Sequence, residues 1–541
     1  MGKVFEFNSI LEFQLKKKVY CTVIISHRFI GTPKSKHILR NVSMISNWNN
    51  DEILCSNLLT RPKPQLGTIL VTGATGYVGG RLVPELLERG YHVRVMTRGT
   101  ADECKLRWPE AEVVVADALA PPQLDDALRG VHTAYYLIHS LLLGPKIFAS
   151  VDLRAAVNFR KAAQKMGIKR IIYLGALGNI ETILSQHLKS RKQVAEELKA
   201  GSVPVTVLRA AVIIGSGSAS YEILHHLIKR SPLFLIPFWA QTRSQPIGIR
   251  NLINVMVGVL ETDETTGRSY DVGGKDILTY ENMLRNMAEV MGKKCYFIKS
   301  AFANTHVYAY VASLLTPVPA TIIRSLLESC YNEVICNPAN LPPDQMYRPI
   351  SYKEAILRAM SRVEQDKVHS RWTDEYPRAH ELAIKLHELL PPPYYISRYG
   401  LITHKKAADL FKAISQIGGK DGWFHANWMW RLRGFLDQML MGVGGARGRR
   451  SDSSLRINDV VGFWRVEDVK INYRLLLRAE MKLPGLAWLE FLIEQHPMGN
   501  KLNVIAYFEP TGLPGKLYWY NFLPFHRFIF TNLLKQIVKR S

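Results

Sequence analysis

From Thr68 onward, short apolar runs alternate with longer stretches whose apolar residues recur at helical spacing. The runs Thr68–Thr72, Val93–Thr97, Glu112–Ala116, Thr133–Ile138, Arg170–Leu174 and Pro204–Leu208 are nearly continuous in apolar side chains. That pattern belongs to strands buried on both faces. Helices are expected between them, notably over Tyr77–Arg89, Lys146–Met166 and His187–Ala200. Together they predict an α/β domain with a doubly wound parallel sheet. After Gly215 the pattern is mainly helical to about Asp366, as expected of a small lobe on the substrate side of such a sheet.

A third region begins near Val368, with helical segments and the break Pro391-Pro392-Pro393. An aromatic block follows (Trp423, Phe424, Trp428, Trp430), then a Gly/Arg loop and strand-like runs at Val460–Val466, Leu475–Lys482, Ala487–Glu494 and Leu502–Phe508. From about Gly512 the chain reads as one long amphipathic helix rich in aromatics. A curved antiparallel sheet gripping that helix satisfies the pattern. The expected organisation is a basic extension over 1–66, a nucleotide-binding domain with its lobe over 67–366, and an α+β domain over 367–541.

The strongest motif lies where the first strand meets the first helix: Thr72-Gly73-Ala74-Thr75-Gly76-Tyr77-Val78-Gly79. Gly73 permits a tight turn, Gly76 lets backbone approach a diphosphate, and Gly79 allows close packing of the helix. The amides of the turn, with Thr75, Tyr77 and Val78, and the positive end of the helix dipole then hold the phosphates. The strand–turn–helix–strand context is complete within about thirty residues, as a Rossmann-type dinucleotide site requires. At the end of the second strand, where a carboxylate takes the ribose hydroxyls of NAD, stand Thr97 and Arg98. A guanidinium suits a 2′-phosphate, so NADP(H) is favoured over NAD(H). Asp117, after the third strand, is a candidate contact to the adenine.

Composition narrows the classes. The 541 residues carry a formal charge of +24 and are 47% apolar. No stretch reaches the length of about 18 apolar residues needed to cross a bilayer; the best, Val307–Ile323, is broken by Pro317 and Pro319. The charge fits an anionic cofactor, and no zinc-finger, helix-turn-helix or RNA-recognition signature points to nucleic acid. The six cysteines (Cys21, Cys55, Cys104, Cys295, Cys330, Cys336) contain no CxxC pair, so neither a disulfide framework nor a metal site is expected. An intracellular location is the expectation, in the cytosol or the mitochondrion. Residues 1–66 are basic and fit no core pattern, but Glu6, Glu12 and the clumped Lys16-Lys17-Lys18 are untypical of a transit peptide. Targeting, disorder and an early start codon all remain readings of that segment.

These residues, with Gln245-Pro246-Ile247 and Tyr270-Asp271-Val272-Gly273-Gly274, resemble the atypical short-chain dehydrogenases/reductases. That group includes NmrA-like regulators and the accessory NAD(P)H-binding subunit of respiratory complex I. The stretches Leu188–Arg191, Arg209–Ser218, Phe463–Val466 and Ala479–Gly485 resemble one subgroup of uncharacterised oxidoreductases with a second domain of unknown function. The family's usual YxxxK motif, with tyrosine as proton donor, is absent. In its place stands His187-Leu188-Lys189-Ser190-Arg191, which keeps the spacing and sets His187 and Arg191 one helical turn apart. The resemblance implies His187 as proton donor and Arg191 as its electrostatic partner, on the expectation that His187 titrates near neutrality. Lys192 is one position off the family's lysine, and Arg209 is a secondary candidate near the nicotinamide. The strand end Leu174-Gly175-Ala176-Leu177 lacks the family's serine, and Ser185 is out of register.

The third region resembles the helix-grip fold of START-like proteins. Its tryptophans (Trp423, Trp428, Trp430, Trp464, Trp488, Trp519) are candidates to line an apolar cavity, with ordinary core as the alternative. The terminal aromatic stretch is expected to pack on its own sheet, so membrane contact is not favoured. Two function classes remain: an NAD(P)H-dependent oxidoreductase of a hydrophobic carbonyl or enone, and a non-catalytic nucleotide-binding sensor or assembly subunit.

Overall fold

The computed structural model describes residues 58–541 except 99–100, 140–147, 179–183, 362–369, 371–385, 387–388, 390, 420, 441, 446–454 and 458. Residues 1–57 of the expected extension, the boundary expected at 366/367 and the helical segments expected just after it lie outside the described residues.

Seven strands form the first sheet: β1 (Thr68–Val71), β2 (Val93–Thr97), β3 (Glu112–Val115), β4 (Val131–Tyr136), β5 (Arg170–Ala176), β6 (Val205–Ala210) and β7 (Ser269–Val272). They run in the order β3-β2-β1-β4-β5-β6-β7, and every pairing is parallel. The order reverses between β1 and β4, so the crevice at their carboxyl ends is where a doubly wound sheet binds its ligand.

Both faces of this sheet are core, and the period-two alternation is visible residue by residue. Ile69 and Val71 pack with Leu82, Leu86, Leu252 and Met256 from helices α1 (Gly79–Glu88) and α7 (Ile249–Glu261). Leu70, between them, packs on the opposite side with Leu124, Phe159 and Val194. Those side chains come from α3 (Pro121–Leu128), α4 (Phe148–Lys165) and α5 (Gln186–Lys199); α2 (Ala101–Arg107) lies before β3. The end of α1 is fastened by Glu261, whose carboxylate accepts from Arg89 Nε and Nη2, both at 2.8 Å, and from the Tyr91 hydroxyl at 3.0 Å.

The region after Gly215 contains helices α6 (Ala219–Arg230), α8 (Tyr280–Val290), α9 (Thr305–Leu315), α10 (Ala320–Ser329) and α11 (Tyr352–Met360). Three two-stranded pairings interleave with them: Ile213–Ile214 with Ile247–Gly248, Leu233–Ile236 with Tyr296–Lys299, and Arg243–Ser244 with Leu278–Thr279. The apolar stretch Val307–Ile323 divides at its prolines into parts of two helices, α9 and α10.

The second sheet is antiparallel. It comprises β8 (Tyr395–Thr403), β9 (Val460–Val461), β10 (Trp464–Lys470), β11 (Arg474–Ala479), β12 (Gly485–His496) and β13 (Gly499–Pro510), in the order β8-β13-β12-β11-β10-β9. Helices α12 (Ala407–Ile414), α13 (Asn427–Met439) and α14 (Gly512–Arg540) accompany it. Phe530, Leu533, Leu534 and Ile537 of α14 enter the same core as Leu477, Leu489 and Val504 of the sheet, which is the expected sheet-and-helix arrangement. Trp423 stacks on Trp430 with ring centroids 4.2 Å apart, and Trp423 and Trp464 belong to that core. Trp488 is fully buried and donates to Glu467 Oε2 at 2.9 Å, while Trp519 stacks on Phe508. These rings are packing material. Trp428 faces solvent.

Candidate functional site

The turn after β1 is held from below by Thr72, which donates to the Tyr135 carbonyl at 3.0 Å and accepts the Leu137 amide at 3.1 Å. Gly73 then takes φ +62°, and a Cβ there would lie 2.6 Å from the Leu137 carbonyl oxygen. At Gly79 a Cβ would lie 2.4 Å from the Gly73 carbonyl oxygen and 2.7 Å from the Ala74 Cα. Both positions therefore admit only glycine, for the reasons the motif implied. Helix α1 begins with no side-chain cap; the Gly80 amide donates to the Gly76 carbonyl at 2.9 Å, so the turn closes directly onto the positive end of the helix dipole. These features fit a dinucleotide diphosphate. One further glycine matters that the motif did not single out. A Cβ on Gly80 would meet Ser370 Cβ at 2.6 Å, and Ser370 Oγ donates to the Tyr77 carbonyl at 2.7 Å.

A single cavity of about 380 Å3 runs from this turn into the helical lobe. Gly73, Gly76, Tyr77, Val78 and Gly79 line it, and so do His139, His187 and Arg191. Ile223, Leu224, Ile322, Leu326 and Leu327, from helices of the lobe, add apolar wall. Thr75 stays in the turn, while Thr97, Arg98 and Asp117 stand outside the cavity at the carboxyl ends of β2 and β3. Arg98 is exposed and makes no ion pair among the described residues. Asp117 Oδ1 accepts the Leu119 amide at 2.9 Å, an Asx turn that shapes the loop into α3.

His187 and Arg191 share one face of α5, as their spacing required. Ser185 caps that helix, accepting the Leu188 amide, and its hydroxyl lies 3.0 Å from that of Ser329. It is thereby committed to structure. Lys192 points outward and pairs with Glu196 at 3.8 Å, so it does not replace the family's lysine. Arg209 is bound across the sheet to Asp271, Nε to Oδ1 at 2.6 Å, and lies outside the cavity lining. It too is structural.

The Arg191 guanidinium is largely buried and lies 3.8 Å from Asp152 on α4, while the Tyr173 hydroxyl donates to the Arg191 carbonyl at 3.2 Å. Burial opposes the Arg191 charge, but Tyr173 and Asp152 outweigh it and hold its pKa above the usual guanidinium value. His187 is different. Burial first, and the Arg191 charge second, push its pKa down to about 3. The expectation that it titrates near neutrality is therefore corrected: the ring is neutral at pH 7. Its Nδ1 is buried without a hydrogen-bond partner among the described residues. His139, an exposed residue just past β4, lines the same cavity. The motif reading missed His139 and Asp152, although each left a sign. His139 follows the carboxyl end of β4, where ligand groups gather in such sheets. Asp152 occupies the apolar stripe of α4 with Ala155, Ala156 and Phe159.

Buried histidines give the stability a pH dependence of fixed sign. His187 falls to about 3, and His225, His226 and His526 to about 4, burial being the first cause throughout. The unfolded chain binds their protons first as pH falls below about 6.5, at about 1.4 kcal/mol per pH unit for each histidine. The melting temperature is accordingly expected to drop steeply from pH 6.5 to 4.5. A flat profile in thermal scans over that window contradicts these assignments.

Comparison with known proteins agrees with this geometry. The NmrA-like family profile matches residues 65–329, and a family of unknown function, DUF2867, matches residues 389–533. Residues 65–329 are an NmrA-like, atypical short-chain dehydrogenase/reductase domain. Relatives of this NmrA-like domain include the ceramide reductase of Caulobacter vibrioides, 28% identical over 238 residues, covering 43% of this chain and 73% of that protein. Another is the mitochondrial NADH dehydrogenase (ubiquinone) 1 alpha subcomplex subunit 9 of Arabidopsis thaliana, 25% identical over 243 residues, covering 43% and 60%. Among solved structures, triphenylmethane reductase of Citrobacter sp., complexed with NADP(H), aligns at TM-score 0.45 and 21% identity, covering 54% of this chain and all of that one.

Proposed function

We propose that this protein is an NADP(H)-preferring oxidoreductase that reduces the carbonyl or enone of a hydrophobic substrate. The observation that carries the reading is a single cavity lined by a turn shaped for a diphosphate, a buried His–Arg pair and walls of isoleucine and leucine. Gly73, Gly76, Tyr77, Val78 and Gly79 would hold the diphosphate, and a bound nicotinamide supplies or accepts the hydride. His187, neutral at rest, offers an N–H hydrogen bond to the substrate oxygen. Arg191, kept charged beside Asp152, stabilises negative charge as it develops there. The apolar lobe excludes water from that charge, which strengthens both interactions. A ceramide reductase among the relatives accords with an apolar substrate.

The test is NADPH consumption against a panel of long-chain ketones, enones and quinones, with His187→Ala beside the wild type. Turnover by the wild type on at least one class, lost in the variant with NADPH binding intact, is the expected result. Tight NADPH binding with no turnover on any class favours the second reading, a nucleotide-binding sensor or assembly subunit. That alternative draws on the missing tyrosine and serine and on the Arabidopsis relative. Cofactor choice is tested separately. Arg98→Ala is expected to weaken NADPH about 10- to 100-fold and to leave NADH nearly unchanged, since charge-assisted phosphate contacts contribute about 1.5–3 kcal/mol. Equal weakening of both removes Arg98 from the 2′-phosphate.

A further inference from the structure

Helix α13 is amphipathic in the inverse sense. Trp428, Leu432, Phe435, Leu436 and Met439 fall at helical spacing on one face, and all are exposed, Trp428 by 66%. The opposite face carries Gly434, Asp437 and Gln438, which are buried. Asp437 is engaged there, accepting the Gly444 and Lys482 amides, each at 2.7 Å. The first half of α14 behaves similarly: Leu517, Phe525 and Phe528 are exposed, whereas Phe530, Leu533, Leu534 and Ile537 of its second half fill the core.

The two helices lie side by side. His425, just before α13, has its ring 5.3 Å from that of Phe528, and the Arg433 charge acts on the Tyr518 phenol. One pair advances along α13 while the other retreats along α14, so the neighbours are antiparallel. Exposed apolar residues thus stand on two neighbouring helices, rather than singly as on an ordinary surface.

Charge identifies what covers it. The 29 residues of α14 include no aspartate or glutamate, and the only acid of α13 is the buried Asp437. Arg431, Lys516 and Arg527 are exposed on the same two helices. Aromatic and leucine side chains flanked by exposed cations are the composition of a helix that lies in a membrane interface, with arginine and lysine reaching the headgroups. No helix among the described residues is long and apolar enough to cross a membrane. A two-fold contact with a second copy would set these cations against their own equivalents.

We propose that the paired outer faces of α13 and the first half of α14 dock this protein onto an anionic phospholipid bilayer. This departs from the expectation that the aromatic stretch is satisfied by its own sheet: the sheet takes Trp519 and the second half of α14 and leaves Leu517, Phe525 and Phe528 exposed. The inference is independent of the catalytic reading, since none of these residues lines the nucleotide cavity.

The test is co-sedimentation of the full chain with phosphatidylglycerol–phosphatidylcholine vesicles and with pure phosphatidylcholine, using the wild type and Trp428→Glu/Phe435→Glu. Both replaced side chains are solvent-exposed, and unchanged NADPH binding verifies that the variant is folded. Wild-type binding to the anionic vesicles alone, reduced at least about tenfold in the variant and weakened near 1 M salt, is the expected result. Failure to bind anionic vesicles overturns the proposal. So does equal binding by wild type and variant, which assigns the affinity to another surface. A dimer in sedimentation velocity that the double variant dissolves, without vesicle binding, assigns the face to a second copy instead.

Discussion

Gly73→Ala is expected to weaken nicotinamide dinucleotide binding at least about 100-fold. Two costs coincide at this position. The residue occupies the left-handed region at φ +62°, which costs an alanine about 1–2 kcal/mol. Its new Cβ would also stand 2.6 Å from the Leu137 carbonyl oxygen, a backbone atom that β4 holds in place. The turn must open to relieve the contact, and opening it moves the amides away from the phosphate positions. A hundredfold loss corresponds to about 2.7 kcal/mol, within the sum of the two effects. Calorimetry with NADPH and NADH measures it. Near-wild-type affinity for both nucleotides would show that this turn is not the phosphate site.

Arg191→Met carries the second large effect, and on two observables. Methionine roughly matches the aliphatic stem but leaves the Asp152 carboxylate, 2% exposed, without the guanidinium beside it. Removing one partner of a buried pair costs about 3–5 kcal/mol, a large part of the stability of an ordinary domain. Turnover on whichever substrate the panel identifies is expected to fall at least about 100-fold, the scale set by loss of one group stabilising an oxyanion. The double variant Arg191→Met/Asp152→Asn separates the roles. It should recover much of the melting temperature, because the buried carboxylate charge that Arg191 balanced is gone, and should recover none of the turnover. Recovery of both assigns Arg191 a purely structural function.

Much of the nucleotide-binding half was legible because its signals are local. Val93–Thr97 was bounded correctly from its apolar run, and α4 and α5 fall within two residues of the expected helices. The glycine turn and the His187–Arg191 face follow from spacing alone. What escaped depends on partners remote in sequence. Strand β8 was missed: Tyr395–Thr403 pairs residue by residue with Asn500–Phe508, about a hundred positions later, and its own pattern interleaves Arg398 and Gly400 with apolar residues. The short pairings of the lobe, such as Leu233–Ile236 with Tyr296–Lys299, are likewise made by distant chain. The neutrality of His187 could not be read from HxxxR, because it comes from burial and from a cation fixed by Asp152 on another helix. Helix α13 was legible only as an aromatic block, which says nothing of the face on which Leu432, Phe435 and Met439 join Trp428.

The hydroxyl of Ser370 on the Tyr77 carbonyl, against the bare back of Gly80, makes the nucleotide loop answerable to chain that comes nearly three hundred residues later. A fragment cut off before Ser370 loses that prop, and the Tyr77 carbonyl loses the Ser370 hydroxyl. Modular dissection of this protein would in that case study a loosened cradle rather than the native one. Whatever displaces Ser370 is felt at the Tyr77 carbonyl, within the glycine turn.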